Sequence, residues 1–581
     1  MVRKYSTVFF ILTVIVVSVY YSYPGMLFKR PQSIHAWRQA DDASFALNYY
    51  QDGMHFFQPE VNNLTTSQGT SGKTAPGENT YLYYFVASLY HIFGYHEFIF
   101  RLVFTLIFLA GLFFLYKTTR YLFDDVFWAF ALPLLLFSSP VIMYYGNNFL
   151  PNTPALAFVL TGWFFFFRYR KEKRTLFLYL TMLFFLLAAW LKITALLSLA
   201  AIGGIFILEW LFGLRISQRG KIFSEPLKFL ILSVILILLV GVWVFFTTWY
   251  NRVHDSTYFV HKPFPFWTFS PEELRKVIYN IRHIWLKEYF HPLTLLFFVL
   301  TVLFIVFHLR KASRFLLLTN LFLLAGIAVF VMMFFWFFQD HDYYSINLYI
   351  LPVFLFLTSL DILKKRYPVV FSSPFTKIIF GLFLLFNIWY AKITVQERYE
   401  GKANRIYQNS GDWYTITPWL RDHGIGPEDT VISVPDNTHV SLYLMNVKGW
   451  TQYTDTRFEE RNNWIRYNRD RQGIEKSIHH GAGYLVVNGI ETLFHQPFLQ
   501  DYALHLTGRY GKILVFNLKE PTRNFTMPQQ TLIQSWTCDA EHLTDDGRQF
   551  INPADSSIFE FAKNRSDIRA HSGSYSIALN K

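Results

Sequence analysis

Long apolar runs recur through the first two-thirds of the chain, and they restrict its fold more than any other feature. Each is about 15 to 24 residues long, near the ~20 that an α-helix needs to cross ~30 Å of hydrocarbon. Inside lipid a segment must satisfy its own backbone polar groups, so runs of this length read as transmembrane helices. They fall at about 6–23, 98–116, 126–145, 149–167, 176–190, 193–212, 229–249, 292–308, 315–338, 345–360 and 377–394. Composition agrees: charged residues make up only 16% of the chain, against ~25% in soluble domains. The expected fold is an α-helical polytopic membrane protein with about 11 transmembrane helices.

The net charge of +13 could point to nucleic acid, but the cations gather between the apolar runs. No nucleic-acid partner is expected; membrane lipids are. Arg3 and Lys4 precede the first run, Lys117 and Arg120 follow the second, and Arg168, Arg170, Lys171, Lys173 and Arg174 follow the fourth. Arg215, Arg219, Lys221 and Lys228 follow the sixth, Arg310, Lys311 and Arg314 the eighth, and Lys364, Lys365 and Arg366 the tenth. With eleven spans all of these loops fall on one side, which the positive-inside rule makes cytoplasmic. The tail from about 396 is then outside. Tyr20-Tyr21-Ser22-Tyr23-Pro24 lacks a small-residue cleavage pattern, so the first run is expected to be an uncleaved anchor. The apolar segment 81–93 is too short to span and reads as a re-entrant or interfacial helix.

Three regions follow: a transmembrane domain over 1–395, an extracytoplasmic α/β domain over 396–525, and a β-rich tail over 526–581. In the middle region 430–435, 484–487 and 512–516 read as strands, with helical patterns at 412–422 and 462–479. The tail reads as the start of a β-sandwich. The single cysteine, Cys538, excludes an intramolecular disulfide framework and a cysteine-based metal site.

The residues able to do chemistry gather in the outer loops. The first contains His35, Arg38, the adjacent pair Asp41 and Asp42, and Glu78. One carboxylate of such a pair suits a general base while a nearby cation sets its charge state; a plain solvated loop is the competing reading. Lys192 sits among apolar residues at an outer boundary, where a lysine is costly unless it snorkels or meets an anion such as a phosphate. A third cluster is Gln339-Asp340-His341-Asp342-Tyr343-Tyr344; its tyrosines suit a phosphate or sugar and equally an interfacial aromatic belt. Asn147, Asn148 and Asn152 form a further outer turn. No phosphate-loop, dinucleotide or zincin pattern occurs in a usable context.

Taken in order, these pieces resemble bacterial members of glycosyltransferase family 39, GT-C-fold relatives of protein O-mannosyltransferases and lipid A aminoarabinose transferases. The matching stretches are His35-Ala36-Trp37-Arg38-Gln39-Ala40-Asp41, Glu78 before Tyr81-Leu82-Tyr83-Tyr84, and Phe93-Gly94-Tyr95-His96-Glu97-Phe98 with Arg101. Leu150-Pro151-Asn152-Thr153-Pro154-Ala155, Leu191-Lys192-Ile193-Thr194 and His341-Asp342-Tyr343-Tyr344 complete the set. The resemblance implies an inverting transfer of a hexosyl or pentosyl group from a polyprenyl-phosphate donor to a lipid, glycan or protein acceptor. The location it implies is the outer face of the bacterial inner membrane, in building a cell-envelope glycan. Asp41 would then be catalytic, with Asp42 the other candidate; Lys192, Arg38 and Tyr344 would hold the donor phosphate. Glu78, His341, Asp342 and Tyr343 would line the cavity. Neither a cofactor nor a divalent metal is expected. The family's acidic residue in the second outer loop stands here as Asn152. A transporter or flippase of a lipid-linked glycan is the alternative, although no internal repeat supports it.

Overall fold

A computed structural model describes the chain from residue 2, apart from 68–69, 218–219, 257, 260–262, 401–410, 435–438, 452–469, 529–549, 552–557, 560–564, 567–575 and 578–581. It separates into two compact units, Met1–Asn524 and Phe525–Lys581.

Each of the eleven apolar runs carries a helix. Among the described residues six segments are long and apolar enough to cross a bilayer unaided: Glu97–Phe123, Ile193–Trp210, Pro226–Val253, Arg314–Met333, Asp342–Arg366 and Pro374–Glu400. Two further pairs qualify only together and are sharply bent, Val126–Phe137 with Pro140–Gly146 by 81° and Pro271–Tyr289 with Pro292–Phe307 by 91°. The run at 126–145 is therefore broken rather than straight. The break has a local cause, since Pro140 has no N–H to continue the ladder and Ser139 caps the second piece. Tyr5–Tyr20 and Thr175–Leu191 are apolar but shorter.

The outer surface of the helices is what lipid requires. In Pro226–Val253 the buried residues are Phe229, Leu236, Val240, Trp243, Thr247, Tyr250 and Asn251, one narrow stripe at helical spacing. Leu227, Val242 and Phe245 on its other faces are exposed. A helix apolar on every side with one buried stripe packs against protein along that stripe and meets hydrocarbon elsewhere. The protein is a multi-pass membrane protein.

Two helices of the segment 24–97 lie off this pattern. Tyr81–Phe93, the segment too short to span, packs against Ala36–Gln51. Ala36–Gln51 is buried almost throughout, although its mean composition is polar.

The α/β region forms a five-stranded sheet. Its strands are β1 (Thr430–Val434), β2 (Lys448–Trp450), β3 (Tyr484–Asn488), β4 (Leu506–Tyr510) and β5 (Ile513–Asn517), in the order β2-β1-β3-β5-β4. β1 runs parallel to β2 and β3, whereas β5 is antiparallel to β3 and β4. β1 and β3 are buried on both faces, as central parallel strands must be. The three predicted strands are present; β2 and β4, too short or too polar to show a period, were missed. The predicted helix at 412–422 is a 3₁₀ turn Gly411–Tyr414 followed by Ile416–Asp422, and only Arg471–His479 of 462–479 lies within the described residues.

The sheet is fastened to the segment 24–97 through β2. Gly449 donates its N–H to the carbonyl of Asn62 at 3.1 Å, and the Asn62 amide donates to the Val447 carbonyl at 3.0 Å. A Cβ on Gly449 would stand 2.0 Å from the Val431 carbonyl, so only glycine allows this edge to close. Arg30 adds a second tie, pairing with Glu97 at 2.7 Å and donating to the carbonyls of Tyr414 and Leu444. The Tyr95 and Tyr443 hydroxyls meet at 2.9 Å. The second unit contains two short antiparallel pairs, Phe550–Ile551 with Ile558–Phe559 and Arg565–Ser566 with Ser576–Ile577. Cys538 lies outside the described residues.

Candidate active site

Successive residues of an α-helix point about 100° apart. Adjacent carboxylates on Ala36–Gln51 therefore face different neighbours, and the helix sends Asp41 and Asp42 into two separate networks. Both side chains are completely buried. The competing reading of a solvated loop does not fit that burial.

Asp42 faces cations. Arg38, one turn earlier, places Nη2 3.2 Å from Asp42 Oδ1 and pairs also with Glu78. The Tyr83 hydroxyl donates to Asp42 Oδ1 at 2.9 Å and lies 3.4 Å from Glu78 Oε1. Lys192 closes the group, with Nζ 3.4 Å from Glu78 Oε2. Lys192 reaches it because Thr175–Leu191 ends one residue before it and the chain turns there into Ile193–Ala195. Burial pushes the Asp42 carboxyl up to about 6, against the pull of Arg38, Lys192 and Tyr83. The Arg38 guanidinium also lies over the Phe259 ring at 4.8 Å.

Asp41 faces an acid-base group instead. The Tyr258 hydroxyl donates to Asp41 Oδ2 at 2.8 Å, and Nε2 of His439 lies 2.7 Å from Oδ1. That second contact has ion-pair distance without hydrogen-bond alignment. Tyr258 and His439 also touch each other, the hydroxyl 3.0 Å from Nε2. His439 caps the short helix Val440–Met445, which follows β1 and packs against Ala36–Gln51. It belongs to the α/β region, at the carboxyl end of a parallel strand, where open α/β sheets place their ligands.

The third cluster sits behind these two. Asp342 is fully buried, accepts a hydrogen bond from Tyr145 at 2.7 Å and pairs with Arg398 at 2.7 Å. His35 Nε2 lies 3.4 Å from it. Arg398 reaches Glu288 as well, at 2.8 Å. His341 stacks on His35 with ring centroids 5.6 Å apart, and Tyr343 meets His35 edge-on at 5.1 Å. Tyr344 lies against His341 and Phe337. Trp37 joins this group to the Asp41 side, 6.1 Å from His341 and 6.5 Å from His439. Asn152 donates to the Tyr343 carbonyl at 2.9 Å and so holds the segment in place.

Several buried polar atoms around this helix have no hydrogen-bond partner among the described residues: Nη1 of Arg38, Oδ2 of Asp42 and Nδ1 of His341. Buried polar atoms are ordinarily paired, so a local concentration of unpaired ones marks where another molecule supplies the partner. Among the described residues no group of three or more His, Cys, Asp or Glu side chains is arranged to hold a metal ion. A separate cavity of about 130 Å³ lies between Tyr23, Tyr144 and Lys392; of the sequence candidates only Asn147 lines it.

Sequence reasoning missed Tyr258, His439, Tyr145 and Arg398. Only Arg398 carried a usable signal, as a cation just past the last apolar run on the side otherwise poor in cations. Tyr258 and His439 stand in no motif.

The family profile described as dolichyl-phosphate-mannose-protein mannosyltransferase matches residues 80–245, a stretch that includes Lys192 and begins after Asp41. Curated protein sequences give no match. In fold, the chain is similar to ArnT from Cupriavidus metallidurans in the apo state, with a TM-score of 0.54 at 13% identity over 87% of this chain and 97% of that one. It is similar also to ArnT of the same organism bound to undecaprenyl phosphate, with a TM-score of 0.52 at 12% identity, again over 87% and 97%. The Archaeoglobus fulgidus oligosaccharyltransferase in the apo form gives 0.53 at 12% identity, over 90% of this chain and 75% of that one. The profile over 80–245 and the fold over most of the chain are both similar to GT-C-fold membrane glycosyltransferases, the group the motifs of the chain resemble.

Proposed function

We propose that the protein transfers a sugar from a polyprenyl-phosphate donor to a hydroxyl acceptor on the extracytoplasmic face of the bacterial inner membrane, with inversion at the anomeric carbon. The observation that carries this reading is the pairing on one buried helix of a carboxylate beside an acid-base group, Asp41, with a cation-rich pocket one residue further on. The matched family's description names a lipid-phosphate sugar, and one similar structure holds undecaprenyl phosphate.

The residues divide the reaction between them. Arg38 and Lys192 take the donor phosphate, with Tyr344 beside them; Arg38 keeps Nη1 unpaired for it, and Glu78 holds both cations in place until the donor arrives. Asp41 accepts the proton of the acceptor hydroxyl as its oxygen bonds to the anomeric carbon. The bond from that carbon to the phosphate oxygen breaks, and its electron pair leaves on the phosphate. Attack opposite the leaving group inverts the carbon, and the cations stabilise the charge that develops on the phosphate. His341, Asp342 and Tyr343 form the wall behind the sugar. Whether the acceptor is lipid, glycan or protein is set by pocket shape.

Reconstituted protein given a radiolabelled polyprenyl-phosphate sugar and a cell-envelope extract should label an extract component. Envelope glycans compared by mass spectrometry with and without the protein should differ by that sugar. Movement of the labelled lipid across the bilayer without transfer would replace this reading with a flippase. An alkaline phosphatase fusion after residue 400 should be active, which places the α/β domain outside.

A further inference from the structure

We propose that the α/β domain supplies part of the catalytic centre: His439, together with Tyr258, holds the Asp41 carboxylate in the orientation that receives the acceptor proton. This rests on the reading of Asp41 as the base. His439 would be a positioning residue, acting through Asp41.

Three observations lead there. Asp41 is wholly buried, and a buried carboxylate without partners is strongly disfavoured, so whatever faces it fixes its orientation. The side chains that meet its oxygens are Tyr258 at 2.8 Å and His439 at 2.7 Å, and these touch each other at 3.0 Å. Among the described residues the ion pairs of Arg38 and Lys192 go to Asp42 and Glu78, and the direct contacts of Asp41 go to Tyr258 and His439. The α/β domain also has no freedom to present His439 elsewhere. The Gly449–Asn62 closure, the Arg30 contacts and the pair Tyr95–Tyr443 fix the domain on the outer loop that carries Asp41.

The chemistry gives the domain a purpose beyond covering the site. A phenol hydroxyl and an imidazole on the two oxygens of one carboxylate restrict its rotation and leave a lone pair on each oxygen, either of which can receive the proton of the incoming hydroxyl. The arrangement follows the logic by which a buried third group orients the base of a hydrolytic triad, with the carboxylate as the base and the imidazole as its orienter.

The test uses the full-length protein in proteoliposomes with a polyprenyl-phosphate sugar and its acceptor. His439→Ala should lower kcat by about 10- to 100-fold, the span of losing one close contact to a buried charged group, with KM for the donor unchanged. His439→Gln, whose amide can reach and donate to the carboxylate, should recover much of that loss. Tyr258→Phe should add little to His439→Ala, because both act on the same carboxylate. Wild-type kcat in His439→Ala, with Asp41→Asn inactive, overturns the proposal and leaves the proposed function standing. Full activity in Asp41→Asn overturns the function itself. A raised donor KM at constant kcat in His439→Ala also overturns the proposal, since it makes His439 a binding residue. If the alanine variant does not fold, the glutamine and phenylalanine variants decide, and unchanged kcat in both overturns it.

Discussion

The two sides of the helix Ala36–Gln51 are one residue apart in sequence and opposite in character. On the Asp42 side two cations, a second carboxylate and a phenol form a charge-balanced pocket built from outer-loop and transmembrane residues. On the Asp41 side the direct partners among the described residues are a loop tyrosine and a histidine of the α/β domain. One side is suited to hold an anion, the other to move a proton. Adjacent carboxylates thus need not share a role, because a helix separates them by about 100° before any tertiary contact is made.

The largest effect should come from breaking the Asp41 side. Asp41→Asn keeps the shape but cannot take a proton, and loss of a general base costs about 10²–10⁴ in rate. Donor binding, measured by equilibrium labelling, should stay nearly intact. Asp42→Asn should be milder, because Glu78 still pairs with Arg38. Equal and complete losses in both would show that the two sides act as one unit.

Behind both sides, Arg398→Met removes one partner of the buried Asp342 pair. Leaving such a charge unpaired costs about 3–5 kcal/mol, so thermal unfolding in detergent should move down by several degrees or more. An unchanged transition would show that the Tyr145 and His35 contacts suffice for Asp342.

The Asp42 side is probed by Lys192→Ala, which should raise the donor KM about tenfold and leave the protein inserted. Lys192→Arg keeps the charge in a different shape and should fall between the two. An unchanged KM in the alanine variant would reduce Lys192 to a snorkelling residue.

The smallest effect is a pH dependence. Buried Asp42 titrates near 6, above the ~3.9 of an unfolded aspartate, so between these values the folded chain binds a proton that the unfolded chain has lost. Stability should therefore fall as pH rises from about 4 to 6, and Asp42→Asn should remove that slope. Activity should move the other way, declining below about pH 6 as protonated Asp42 releases Arg38. Identical unfolding and rate profiles in Asp42→Asn would sever Asp42 from both.

How much of this was legible in the sequence divides along physical lines. The helices at all eleven apolar runs, the short helix at 81–93 and three strands of the sheet follow from hydrophobic periodicity. That signal is carried by neighbours within one segment and survives without tertiary information. Asp41, Asp42, Arg38, Glu78 and Lys192 stood out for a similar reason, as charges where a membrane boundary makes charge costly. The strand Lys448–Trp450 was hidden because it depends on a contact across the fold, that of Gly449 with Asn62; the bend near Pro140 has a local cause, and the contacts of Ser139 with Tyr289 and Tyr349 hold its angle.

The sequence by itself determined the membrane class, the placement of the helices and the loops that bear the chemistry. Tertiary structure decided the division between Asp41 and Asp42. Spacing puts the two side by side, and only packing shows that one meets Arg38 and Tyr83 while the other meets Tyr258 and His439. The reason is that a carboxylate's role is set by what lies within a few ångströms of it in a low-dielectric site. His439 is brought there from the far end of the chain by the docking of a sheet, which no local pattern records.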